Sequence, residues 1–144
     1  MKKNYKKFKI FPVKRDKAFY TVYVFDDRAS MRLFSNQLMG GSNHKFEAAT
    51  HSYKSVNIVK GKKIPSETLG SMVFYKGGFG IGVVSHEMAH AVNYFFERRK
   101  IKFNLGGKVN EDWKWWDEVY AWSLGYMNNQ FWKKYAVKPG KERY

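Results

Sequence analysis

The chain has 144 residues, 44% of them apolar and 19% aromatic, and a net charge of +15. That length suits one domain with a core that needs no covalent staples, and the composition excludes a disordered chain. The absence of cysteine excludes a disulfide framework, a thiolate metal site and a cysteine nucleophile.

The lead-in, "MKKNYKKFKIFPVKRDK", is basic with no apolar run behind it, so it does not read as a secretory signal. No run approaches the length of a membrane span. A soluble, cytoplasmic protein is expected, one domain over residues 1–144, with a loose basic N-terminus (1–10) and a loose tail (137–144). "AFYTVYVF", Ala18 to Phe25, is aromatic and β-branched and predicts a strand. "DDRASMRLFSNQLMGG" predicts a short helix capped by Asp26 or Asp27 and ended by Gly40–Gly41. "KFEAATHSY" and "SVNIVKG" alternate loosely and predict strands, and "KKIPSET" predicts a turn. "LGSMVFYKGG", Leu69 to Gly78, predicts a strand with a glycine stop. A helix follows from about Gly80 to Lys100, then a loop, "KFNLGGKVN", then a second long helix from Glu111 to Tyr135. Strands come first and two helices follow, which predicts an α+β domain with a small mixed sheet.

The first of these two helices carries "GVVSHEMAHAV". Four residues apart on a helix, His86 and His90 lie one above the other on one face. Two imidazoles at that spacing can bind one zinc ion, and Glu87 projects beside them as a base for a zinc-bound water. The flanking residues, from Ile81 to Phe96, are apolar nearly all round, which predicts a buried helix. Two histidines and a glutamate buried without partners would each cost kilocalories, whereas a metal and its water satisfy all three. The alternative is a core pair of histidines satisfied by neighbours.

A catalytic zinc needs a third protein ligand. Asn93 is on the histidine face but is a poor ligand, and Glu97 lies about 10 Å further along the axis. The candidates on other elements are His44, His51, Glu111, Asp112, Asp117 and Glu118. In "DEVYAWSLGY" the small residues Ala121 and Gly125 share or flank the face of Glu118, which would let two helix backbones approach. Glu118 is therefore favoured, with Asp117 as a partner that orients a ligand histidine.

"VVSHEMAHAV" followed by "DEVYAWSLGY" resembles the minimal zincin metallopeptidases with a glutamate ligand, among them the small prokaryotic and phage-borne proteins of the ImmA/IrrE-like group. The resemblance covers about Leu69 to Tyr126. It implies a zincin-like fold, with zinc as cofactor held by His86, His90 and Glu118, Glu87 as general base, and Ala121 in the small position after the third ligand. It also implies an edge strand before the active-site helix that pairs with a peptide substrate, here "LGSMVFY", with Ser71, Met72, Val73 and Phe74 as the contact residues. No residue clearly matches the family's oxyanion donor; Tyr75, Tyr94, Tyr126 and His51 are the candidates. The activity implied is hydrolysis of a peptide or protein substrate.

Two other readings compete. Lysines interleave with aromatics in "NYKKFKIF" and "QFWKKY", which suits phosphate contact with base stacking and makes a nucleic acid a candidate partner. Scattered lysines also keep an aromatic-rich domain soluble. The third reading is a zincin-like fold that binds without catalysing.

Overall fold

The computed structural model describes residues 4–41, 44–99 and 111–136, the last with side chains from Glu118 onward. The expected loop at 102–110 and the tail at 137–144 lie outside the described residues. Nine elements follow one another: β1 (Tyr5–Ile10), β2 (Phe19–Phe25), α1 (Arg28–Leu38), β3 (Ala49–Ser52), β4 (Val56–Val59), β5 (Lys62–Pro65), β6 (Thr68–Tyr75), α2 (Ile81–Arg98) and α3 (Glu111–Ala136). The fold is α+β, with a mixed four-stranded sheet in the order β1-β2-β6-β3 and a separate two-stranded ribbon of β4 and β5. β2 and β6 run parallel, and β1 and β3 pair antiparallel at the two edges.

Three local expectations change. The lysine-rich lead-in contains a strand: Phe8 and Ile10 are buried between exposed Lys7 and Lys9, a period of two that the lysine content obscures. Lysines suit this position, because β1 is an edge that must not recruit foreign strands. "KKIPSET" is mostly strand β5, and the turn is Lys60–Gly61, where both φ angles are positive (51° and 75°) and the chain reverses into a tight hairpin. The third correction concerns "LGSMVFY". It forms β6, which is central and not an edge, with β2 on one side and β3 on the other. All four contact residues are buried; Ser71, Met72 and Val73 pair with both β2 and β3, and Phe74 pairs with β2. The main chain of Ser71 to Val73 is thus not free to bind a peptide.

Alternation along the strands gives the sheet two apolar faces. Phe8, Ile10, Tyr20, Val22, Val24, Met72 and Phe74 face α2 and α3, meeting Val84, Met88, Val92, Met127 and Phe131. Phe25 and Val73 face α1, where Met31 and Phe34 cover them. Asp27 caps α1 by accepting from the Ser30 main-chain N–H at 2.7 Å. β3 can lie against β6 because Gly70, at φ +142°, has no Cβ, which would overlap the His51 carbonyl. α2 and α3 run antiparallel: Ser85 Oγ donates to Asn128 Oδ1 at 3.1 Å, while Tyr120 hydrogen-bonds Asn93 and sets its ring against Phe96. No helix among the described residues is long and apolar enough to cross a membrane.

Candidate metal centre

α2 buries one side and leaves the other open. Val84, Met88, Ala91, Val92, Phe95 and Phe96 pack into the core, whereas His86, His90, Asn93 and Glu97 are exposed along one face. The expectation of a helix buried all round therefore fails at the histidines. Their spacing of four places them on the open face, where the apolar count of the segment carries no information about direction.

On that face His86 Nε2 and His90 Nε2 approach to 3.2 Å, with rings nearly perpendicular. Two nitrogens bound to one tetrahedral zinc at 2.0–2.1 Å are about 3.3 Å apart, so the donor pair fits a zinc ion. A carboxylate oxygen of Glu87 completes a group whose potential ligand atoms all lie within 4.8 Å of one another. Glu87 itself is only 5% exposed. Burial pushes its carboxyl above the usual range, against the opposing pull of His90, His86 and a hydroxyl from Thr50. Thr50 Oγ1 lies 3.2 Å from the Glu87 carbonyl and 3.5 Å from its Oε2, tying β3 to the turn of the helix that carries Glu87.

The other candidates are placed as follows. Glu118 is exposed, and among the described residues it is not part of the converging group. The pairing of Ser85 with Asn128 and of Asn93 with Tyr120 sets it level with the last turns of α2, more than a turn beyond His90. Ala121 and Gly125 are exposed too, and nothing lies within 4 Å of a Cβ built on Gly125; the small buried residue on α3 is Ser123. The side chains of Glu111, Asp112 and Asp117 lie outside the described residues. His44 is exposed, with its ring against Phe46. His51 is on the α1 face, where its Nε2 lies 2.6 Å from Ser35 Oγ and burial lowers its pKa.

Two oxyanion candidates are turned away from the site. His51 is on the wrong face of the sheet, and Tyr75 packs with the α1 cluster and donates its hydroxyl to Glu47. Tyr126 stacks on Trp122. Tyr94 stays closest, its ring stacked on His90 with centroids 6.3 Å apart. Sequence reasoning missed Thr50, whose contact with Glu87 spans 37 positions and leaves no local trace. It also missed Gly82, which lines a recess together with His86 and Glu87 and which the four-residue spacing back from His86 could have found.

The two lysine–aromatic stretches meet each other. Lys134 Nζ donates to the Lys9 carbonyl at 2.5 Å and sits over the Phe11 ring, and Lys6 Nζ donates to the Tyr135 carbonyl at 2.8 Å. Of their aromatics, Phe8 and Phe131 are in the core and offer no face to a base, while Tyr5, Phe11, Trp132 and Tyr135 are half-buried.

No family model matches the chain, no curated protein matches it, and no solved structure matches it.

Proposed function

We propose that the protein is a zinc-dependent peptide hydrolase of the minimal zincin type, in which His86 and His90 hold the ion, Glu118 adds the third ligand and Glu87 is the general base. The observation that carries this reading is the approach of the two imidazole Nε2 atoms to 3.2 Å on an open helix face, beside a carboxylate that is itself buried.

A bound zinc ion would acidify a water and polarise the carbonyl of the bond to be cut. Glu87 takes the proton of the attacking water and delivers it to the leaving amine as the C–N bond breaks. Desolvation suits it to that work, because a carboxyl pushed toward its neutral form accepts a proton more readily. Thr50 holds the carboxylate from the sheet side. A peptide would add to the sheet at β3, the edge strand beside α2, and would take its main-chain hydrogen bonds there. Glu118 sits more than a turn beyond His90 where α2 and α3 already pack, so it reaches the ion only if α3 shifts along α2 toward His90.

The test is a comparison of wild type with Glu87→Gln for zinc content, melting temperature and cleavage of an unbiased peptide mixture. Both should hold one zinc per chain and melt alike. Cleavage should fall about a hundred-fold to ten-thousand-fold, the span of general acid–base groups. Equal cleavage by both proteins removes Glu87 from the mechanism; zinc uptake without cleavage by either favours a binding protein.

A further inference from the structure

Next to the histidines the surface sinks into a recess of about 410 Å³, lined by Glu47, Ala48, Gly82, Val83, His86 and Glu87. It lies between the approach to β3 and the first turns of α2, so whatever occupies it touches the proposed base directly. Its walls away from the histidine and the base are small and apolar: Ala48, Val83 and a glycine. Glu47 stands at the rim, but its carboxylate is already engaged. Arg32 Nη2 lies 2.7 Å and Arg28 Nη1 3.5 Å from Oε1, and the Tyr75 hydroxyl donates to Oε2. With two guanidiniums against one carboxylate, the rim offers no unmatched negative charge to a cationic side chain. Neither arginine lines the recess, so an anionic side chain that enters it meets no guanidinium there.

Gly82 is part of the lining. It lies one turn before His86 on the same helix face. It has no positive φ, and a Cβ built there meets nothing within 4 Å. No backbone constraint calls for glycine at this position, so its missing side chain is open space in the recess.

Resting on the hydrolase reading above, we infer that the site selects substrates by an uncharged apolar side chain, of leucine size or larger, that fills the recess beside Glu87, and that Gly82 leaves the room for it. Ala48 and Val83 bury the entering side chain and give a charged one no polar partner.

The experiment uses the full-length protein reconstituted with zinc and a series of hydroxamates measured by calorimetry. Acetohydroxamate carries the metal-binding group alone; three others add an isobutyl, a guanidinopropyl or a carboxyethyl side chain. In wild type the isobutyl compound should bind about ten-fold to a hundred-fold tighter than acetohydroxamate, the worth of burying a leucine-sized side chain. The two charged compounds should gain far less. In Gly82→Leu the ratio of isobutyl to acetyl affinity should collapse to about one, with Gly82→Ala in between, and zinc content of the variants shows that the fold is kept. An isobutyl advantage that survives Gly82→Leu, or that the guanidinium or carboxylate compound equals, overturns this inference and leaves the hydrolase reading standing. Failure of acetohydroxamate itself to bind the zinc-treated protein overturns the metal reading, and this inference falls with it.

Discussion

His51 and the His86–His90 pair lie on opposite faces of one sheet and end in different kinds of partner. His51 puts Nε2 against Ser35 Oγ at 2.6 Å, and that serine is fully buried. A hydroxyl both donates and accepts, so this imidazole is satisfied in either tautomer. Phe46 closes over it edge-on. His86 and His90 instead turn their Nε2 atoms toward each other in the open. Two lone pairs aimed at one point repel unless a proton or a cation lies between them, and an open face leaves a cation free to enter. The role of a histidine is read from what its second nitrogen meets, and not from how apolar its neighbours in sequence are.

The largest effect should come from breaking the open pair. A His86→Ala, His90→Ala double variant should lose zinc altogether, whereas His51→Ala should keep one zinc per chain. Because metal binding is shared with folding, chelation should lower the melting temperature of wild type and of His51→Ala but not of the double variant. Metal analysis of the three purified proteins decides it. Full zinc in the double variant, or its loss in His51→Ala, would show that the two faces have been assigned the wrong roles.

A smaller effect sharpens the open face. Glu118→Ala should weaken zinc binding severely, and Asp117→Ala by about ten-fold to a hundred-fold, the usual cost of losing a group that orients a ligand. Competition with a chromogenic chelator measures both. If Glu118→Ala binds zinc like wild type, Glu118 is not a ligand and Glu87, already within 4.8 Å of the histidine nitrogens, is a ligand and not a base.

The same contrast explains what was legible in the sequence. Residue spacing is local, so the histidine pair, the Asp27 cap, and the existence of α1, α2, α3, β2 and β6 could all be read from short windows. What depends on distant neighbours could not. β6 was expected at an edge, although its residues from Leu69 to Phe74 are buried without alternation, and a strand buried on both faces belongs inside a sheet. Small residues on α3 marked a close approach only if they faced α2; Ala121 and Gly125 face solvent. The lysines of β1 hid a two-residue period because edge strands need charge where central strands do not. Thr50 reaches Glu87 because β3 pairs with β6 in one particular register, Thr50 opposite Met72, and nothing in "ATHS" announces that register.

The smallest effect belongs to the closed face. Burial holds the His51 pKa below the ordinary value of 6.5, and its hydrogen-bond partner is a neutral hydroxyl. The unfolded chain therefore takes up a proton at this residue before the folded chain does. Only well above pH 6.5 is neither state protonated there, and His51 then contributes no pH dependence. As pH falls from 6.5 toward the depressed folded value, the unfolded state gains a proton that the folded state refuses, and stability drops. A whole proton would give a slope of about 1.4 kcal/mol per pH unit, and partial exposure of the ring keeps the real slope well below that. Chemical denaturation of wild type and His51→Gln between pH 7.5 and 5 isolates it, since every other titrating group is common to both. The two stability curves should run parallel near pH 7.5 and converge or cross as pH falls through 6.5, as wild type alone loses stability to His51. Curves that stay parallel throughout would mean that the Ser35 contact accepts a charged imidazole as well as a neutral one, and the closed face would then be less closed than its packing implies.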